Sequence, residues 1–173
     1  SLSEWKKQYH TWITDPTPET QLLSAIFFDY SYVFGDTQLV TKLSDSILDT
    51  LDTNPMFYRV MAKDAIRSPS PLGFFRQFLV EEGGDHKDFF DIKTRALMPL
   101  IDAARVLSLN HKLRNINNTA GRFERLAELE QNNKEIYENC SYAFKALLKF
   151  RTKQGILHDD SGRFIELATL SKA

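Results

Sequence analysis

A chain of 173 residues, 42% hydrophobic and 26% charged, has enough apolar material for one domain with a real core. Its 22 basic and 23 acidic residues leave a formal charge of −1, which gives no electrostatic basis for binding nucleic acid or an anionic membrane. No run of about 18 apolar residues offers a membrane span, no secretory signal pattern occurs, and the single cysteine, Cys140, excludes an intrachain disulfide framework and fits a reducing, cytoplasmic compartment.

No initiator Met precedes the first helix, so residues 1–173 read as a single domain cut from a longer protein. Helix one spans Ser3 to Thr14, with Ser3 as N-cap and Trp5, Tyr9, Trp12 and Ile13 as its apolar stripe. Asp15-Pro16-Thr17-Pro18 breaks it, and Thr17 with Pro18 opens the next helix. Helix two is expected from Pro18 to Phe34, its face formed by Leu22, Ala25, Ile26, Asp29 and Val33, with Gly35 as its stop. Asp29 stands in the middle of that apolar arc, and a carboxylate there is costly unless paired or protonated.

Asp36 caps helix three, Thr37 to Leu51, whose apolar face includes Leu39, Leu43, Ile47, Leu48 and Leu51. Helix four follows from Pro55 to Arg67, with Phe57, Val60 and Met61, until Ser68-Pro69-Ser70-Pro71 stops it. Leu72 to Asp91 is the least regular stretch. Phe78–Glu82 and Phe89–Lys93 pair as a small β-hairpin across Gly83-Gly84, or else a helix begins at Phe74; the residues leave both open. Phe74, Phe75, Phe78, Phe89 and Phe90 serve the core or cap the bundle, or form a docking surface for a neighbouring domain.

Asp91 to Asn110 reads as a short extended or turn segment feeding a helix that ends near Lys112. At about 100° per residue, Leu97, Leu100, Ile101, Ala104, Leu107 and Ser108 share one arc, with Arg105 at its edge. An arginine there keeps its charge and must find acceptors. Asn117 or Asn118 caps a helix from Thr119 to Gln131 bearing Phe123, Leu126 and Leu129. The last long helix runs from Asn132 or Asn133 to Gln154, with Ile136, Cys140, Ala143, Phe144, Leu147 and Phe150 on its face and Gly155 closing it. The rest is a loop and the start of another element. Helices of these lengths joined by short turns predict an all-α, up-and-down bundle, with the hairpin around residues 78–93 as a minor insertion.

The polar set Asp29, Asp91, Lys93, Arg105, Arg151 and Gln154 has two readings. One is an internal salt-bridge network that fixes helix register. The other is a pocket at one end of the bundle whose cations face a phosphate or carboxylate. His158-Asp159 invites comparison with metal-dependent phosphohydrolases, but the pair sits in a Gly-flanked tail and the four histidines show no ligand spacing. No phosphate-cradling glycine loop and no nucleophile elbow occurs. Neither a metal site nor a cofactor is expected in this chain.

Taken in order, these motifs resemble a family, the putative nucleotidyltransferase substrate-binding domain. The resemblance rests on Asp15 to Glu19 (DPTPE), Ile26 to Asp29 (IFFD), Gly35-Asp36, Pro71 to Phe75 (PLGFF), Asp91 to Lys93 (DIK), Met98 to Leu109, Asn118-Thr119 with Arg122, and Phe150 to Gln154 (FRTKQ). It departs at Ser31, where the family commonly has an arginine, and past Glu166–Lys172 (ELATLSK), where the family commonly adds one more helix, so the chain is expected to lack a final helix. The resemblance implies an all-α module that follows a catalytic domain similar to PII-protein uridylyltransferases, in bacterial signal-transduction proteins that often carry CBS and cyclic-nucleotide-binding domains. It implies an accessory substrate-binding or regulatory role, with Asp29, Asp91, Lys93, Arg105, Arg122 and Arg151 as candidate pocket or network residues. It also implies a nucleoside triphosphate and Mg²⁺ at the catalytic partner, an N-terminal nucleotidyltransferase domain in the same protein, and a protein acceptor. The Gly-Ser turn and paired aspartates of that partner are absent here, so no activity is expected of this chain alone. The alternative is an interaction or dimerisation module coupling signalling domains.

Overall fold

The computed structural model describes residues 1–67, 70–74 and 77–169. Expectations placed on Ser68-Pro69, Phe75 and the residues after 169, and on the side chains of Leu22 and Ala25, lie outside the described residues. Among those described, the elements are α1 (Leu2–Thr14), α2 (Pro18–Phe27), α3 (Thr37–Asp52), α4 (Pro55–Ala65), β1 (Phe89–Asp91), α5 (Met98–Asn110), α6 (Thr119–Leu129), α7 (Lys134–His158) and β2 (Phe164–Glu166). Helices pack largely in chain order: α1 on α2 and α3, α3 on α4, α4 on α5, α5 on α6, α6 on α7. The fold is all-α apart from the two short strands.

Two cores meet at α5. The first gathers Trp12 and Ile13 of α1, Ile47, Leu48 and Leu51 of α3, and Phe57 of α4, with Val106 and Leu109 of α5 against it. The second joins Ala104 of α5 to Phe123 and Leu126 of α6 and Tyr137 of α7. Leu129 and Ile136, assigned to apolar faces by periodicity, are exposed; Tyr137 takes the buried position instead.

Helix α1 starts one residue earlier than expected, because Ser1 and Glu4 form a capping box that displaces Ser3 as cap. A larger difference concerns α2, which stops at Phe27 rather than Phe34. The run after it is aromatic and β-branched, a weak helix former, and tertiary anchors capture it. Phe28 enters the first core, the Tyr9 hydroxyl donates to the Phe27 carbonyl, and the Tyr30 and Ser44 hydroxyls lie 2.7 Å apart. Asp29 therefore sits on a connecting segment, not on a helix face. Val33 and Phe34, at 88% and 95% exposure, project outward.

The expected hairpin is replaced by a long-range pairing. β1 runs antiparallel to β2, with Phe90 opposite Ile165, and not against Phe78–Glu82. Glu81 alone in that segment bonds back, donating to the Phe89 carbonyl and accepting from the Asp88 N–H, both at 2.9 Å. Pairing with β2 wins because Phe90, Ile92 and Ile165 then bury together, with Leu147 and Phe150 of α7 beside them. Phe74 lies in a turn.

Between β1 and α5 the chain makes one π-helical turn, Lys93–Leu97. Pro99 has no N–H to return to the carbonyl four residues back and its ring crowds that carbonyl. The Met98 N–H bonds instead to the Lys93 carbonyl, a widened i to i−5 contact. At the other end, α7 passes through Gly155 and ends at His158. Gly155 is not a stop. Its missing side chain lets the returning tail approach: a Cβ there would lie 2.9 Å from the Asp160 carbonyl oxygen.

Candidate functional site

The connection after α2 delivers Asp29 to the space between α5 and α6. Asp29 Oδ2 accepts from Arg105 Nη2 at 2.6 Å. Oδ1 lies 2.7 Å from Arg122 Nη2, as an ion pair off the line of a hydrogen bond. Both arginines are buried, at 7% and 5% exposure. Arg105 also donates from Nη1 to Asp102 Oδ1 at 3.1 Å, and Arg122 donates from Nε to the Ile116 carbonyl at 3.0 Å. Burial pushes the Asp102 carboxyl up, against the pull of Arg105.

Beside this cluster lies a cavity of about 260 Å³. Its lining includes the apolar and aromatic Phe28, Tyr30, Tyr32, Leu48 and Leu113, and the polar Arg105, Arg114, Arg122 and Ser108. Ser31, where the resemblance led to an arginine, also lines it. Arg114 reaches the cavity from the turn after α5, its Nη1 paired with Asp45 of α3. Two buried polar atoms of this lining, Arg105 Nε and Ser108 Oγ, have no hydrogen-bond partner. Arg105 Nε can only donate, whereas the Ser108 hydroxyl can donate or accept.

The structure brings Asp29, Arg105 and Arg122 together and leaves Asp91, Lys93 and Arg151 elsewhere. Asp91 is buried at the end of β1, where it accepts from Arg163 Nε and Nη2 at 3.0 and 2.6 Å and from the Thr94 N–H at 2.9 Å. Lys93 is exposed on the π-helical turn. Arg151 donates from Nε to the Ser161 carbonyl at 3.1 Å, tying α7 to the tail. Asp91 and Arg151 thus help to organise the strand-pairing end of the fold.

Sequence reasoning missed Asp102, Arg114 and Arg163. Asp102 carries a usable signal, since it lies three residues before Arg105 and so faces it along the helix. Arg114 and Arg163 carry none; they act from turns across 69 and 72 residues of chain.

A model of the family described as "Putative nucleotidyltransferase substrate binding domain" matches residues 55–173. The chain belongs to this family. No curated protein and no solved structure matches it. The matched stretch includes α5 and α6, and hence Arg105, Arg114 and Arg122. The motifs at Asp15–Glu19, Ile26–Asp29 and Gly35-Asp36 fall before it. In this member the carboxylate that holds the two buried arginines thus comes from outside the matched stretch. Among the described residues, no three His, Cys, Asp or Glu side chains gather as a metal site requires, and no helix is long and apolar enough to cross a membrane.

Proposed function

We propose that this chain is the accessory substrate-binding domain of a nucleotidyltransferase protein, its cavity forming part of the site at which a catalytic domain of the same protein uses a nucleoside triphosphate and Mg²⁺. The arginine-lined cavity between the post-α2 segment, α3, α5 and α6 is the observation that carries this reading. A concave site with an apolar wall and a few convergent polar groups is the usual form of a small-molecule site. The proposal extends to a PII-uridylyltransferase-like signalling role in a bacterial cytoplasm, with a protein acceptor as one class of substrate. An NMR titration of the chain with nucleoside triphosphates, with and without Mg²⁺, tests it. Saturable shifts confined to Arg105, Ser108, Arg114 and Arg122 support it; shifts absent or scattered over the surface overturn it and leave the polar cluster as core architecture.

Val33 and Phe34 favour a second reading. Their near-complete exposure, just past Tyr32 in the chain, suits an interaction or dimerisation surface. Sedimentation of the chain alone separates self-association from docking on another domain.

A further inference from the structure

We infer that the cavity takes a small organic oxyanion, with a single phosphate or carboxylate on the arginines and an aromatic or apolar body against Tyr30, Tyr32 and Leu113. This rests on the reading that the cavity is the substrate site, and it names the ligand's chemistry.

The charge layout carries the inference. Among the described residues, three arginines line the cavity and no Asp or Glu does. Their acids, Asp29, Asp102 and Asp45, do not line it; they pair with the guanidinium groups and neutralise the cluster without closing it to an anion. A guanidinium has five N–H donors and no acceptor. Arg105 commits Nη1 and Nη2 to acids, and its Nε, buried, has no partner. Ser108 Oγ, also buried, is in the same state. The guanidinium groups that line the cavity can only donate, and an oxyanion supplies the acceptors such donors take. A cation would find guanidinium groups and no carboxylate on the lining itself, the paired acids lying behind them. A neutral ligand would leave the guanidinium donors without a charged acceptor. A cavity of about 260 Å³ lies just below the usual range of about 300–1,000 Å³ for ligand pockets, which suits a compact body with one charged group.

Phenyl phosphate, phenylacetate and benzyl alcohol, titrated into the chain by calorimetry and NMR, test this. One or both anions should bind, with affinity falling as salt is raised, and benzyl alcohol should bind at least about tenfold more weakly. Preference between the two anions tells phosphate from carboxylate. Arg105→Gln takes the cation from Asp102 and leaves Asp29 with Arg122 alone, and is expected to disturb the fold, so the informative variant is Arg114→Gln, whose guanidinium is half exposed. It should keep the fold and weaken the preferred anion about tenfold. Equal binding of benzyl alcohol, or an unchanged anion affinity in Arg114→Gln, overturns the inference. If nucleoside triphosphates move the cavity residues while benzyl alcohol matches the anions, the substrate site stands and only its oxyanion chemistry fails. If none of these probes binds, both fall.

Discussion

Asp29 and Arg105, 76 residues apart in the chain, meet at 2.6 Å, and the other carboxylate oxygen of Asp29 faces Arg122. One carboxylate thus locks the segment after α2 onto both α5 and α6. Removing it leaves two buried guanidinium groups with one compensating acid, Asp102. Breaking a fully buried pair costs about 3–5 kcal/mol. Asp29 is 32% exposed, so Asp29→Ala is expected to cost less, about 2–3 kcal/mol. Urea denaturation measures it, and a loss below about 0.5 kcal/mol would show that the pairing contributes little.

The Asp91–Arg163 pair should make the strand-pairing end sensitive to acid. Burial alone would raise the Asp91 carboxyl, but the bonds from Arg163 and Thr94 outweigh it, and it titrates below the ordinary range. A carboxyl depressed in the fold contributes stability above its unfolded pKa of about 3.9 and loses it as pH falls through its lower folded value. Arg163→Leu should therefore be strongly destabilised at neutral pH, and its gap from the parent should narrow toward about pH 3. A gap that stays constant across that range would show that Arg163 acts through packing instead.

Gly162 should tolerate no side chain. Its φ is +59°, and a Cβ would collide with the Arg151 carbonyl oxygen and lie 2.8 Å from the Gly155 nitrogen. Both neighbours are backbone and cannot swing aside. Gly162→Ala is expected to lower stability by about 2–4 kcal/mol. Gly83→Ala, with nothing within 4 Å of its added Cβ, serves as the control and should change stability by less than about 0.5 kcal/mol. Thermal melts of the two variants side by side make the comparison.

Cys140 should alkylate slowly. It is half buried on α7, and burial pushes its thiol above the ordinary range. At pH 8 iodoacetamide should label the folded chain several-fold more slowly than the same chain in urea. Equal rates in both states would contradict the packed environment.

Most helix starts were legible because their signals are local. Thr17 with Pro18, Asp36, and Asn118 each mark a start that the structure keeps, with the Asn118 side chain accepting from the Gly121 N–H at 2.7 Å. Helix ends were harder. Gly35 and Gly155 read as stops, yet α2 ends eight residues before the first, and α7 runs through the second. In each case distant contacts decide: Phe28 and Tyr30 anchoring to α1 and α3, and the 160–162 tail crossing Gly155. Asp29 drew attention as a charge among apolar neighbours, although the helix arc that singled it out does not form. Its partnership with Arg105 follows from the acid-and-base logic of buried charge, whereas the contribution of Arg114 depends on how a turn folds back and leaves no trace in spacing.

The pairing of Phe90 with Ile165 across 75 residues constrains how the chain assembles. A growing polypeptide can build α1 through α4 and most of the first core before α7 exists. β1 has no ladder partner until residues 164–166 have left the ribosome, and until then Phe90 and Ile92 lack a seat. The molecule should thus form in two stages, an early helical half and a late closure that carries the high contact order. During the interval the Phe-rich stretch from residue 74 to 90 is the part most open to chaperones and to aggregation, a vulnerability set by the order of synthesis and not by the finished fold.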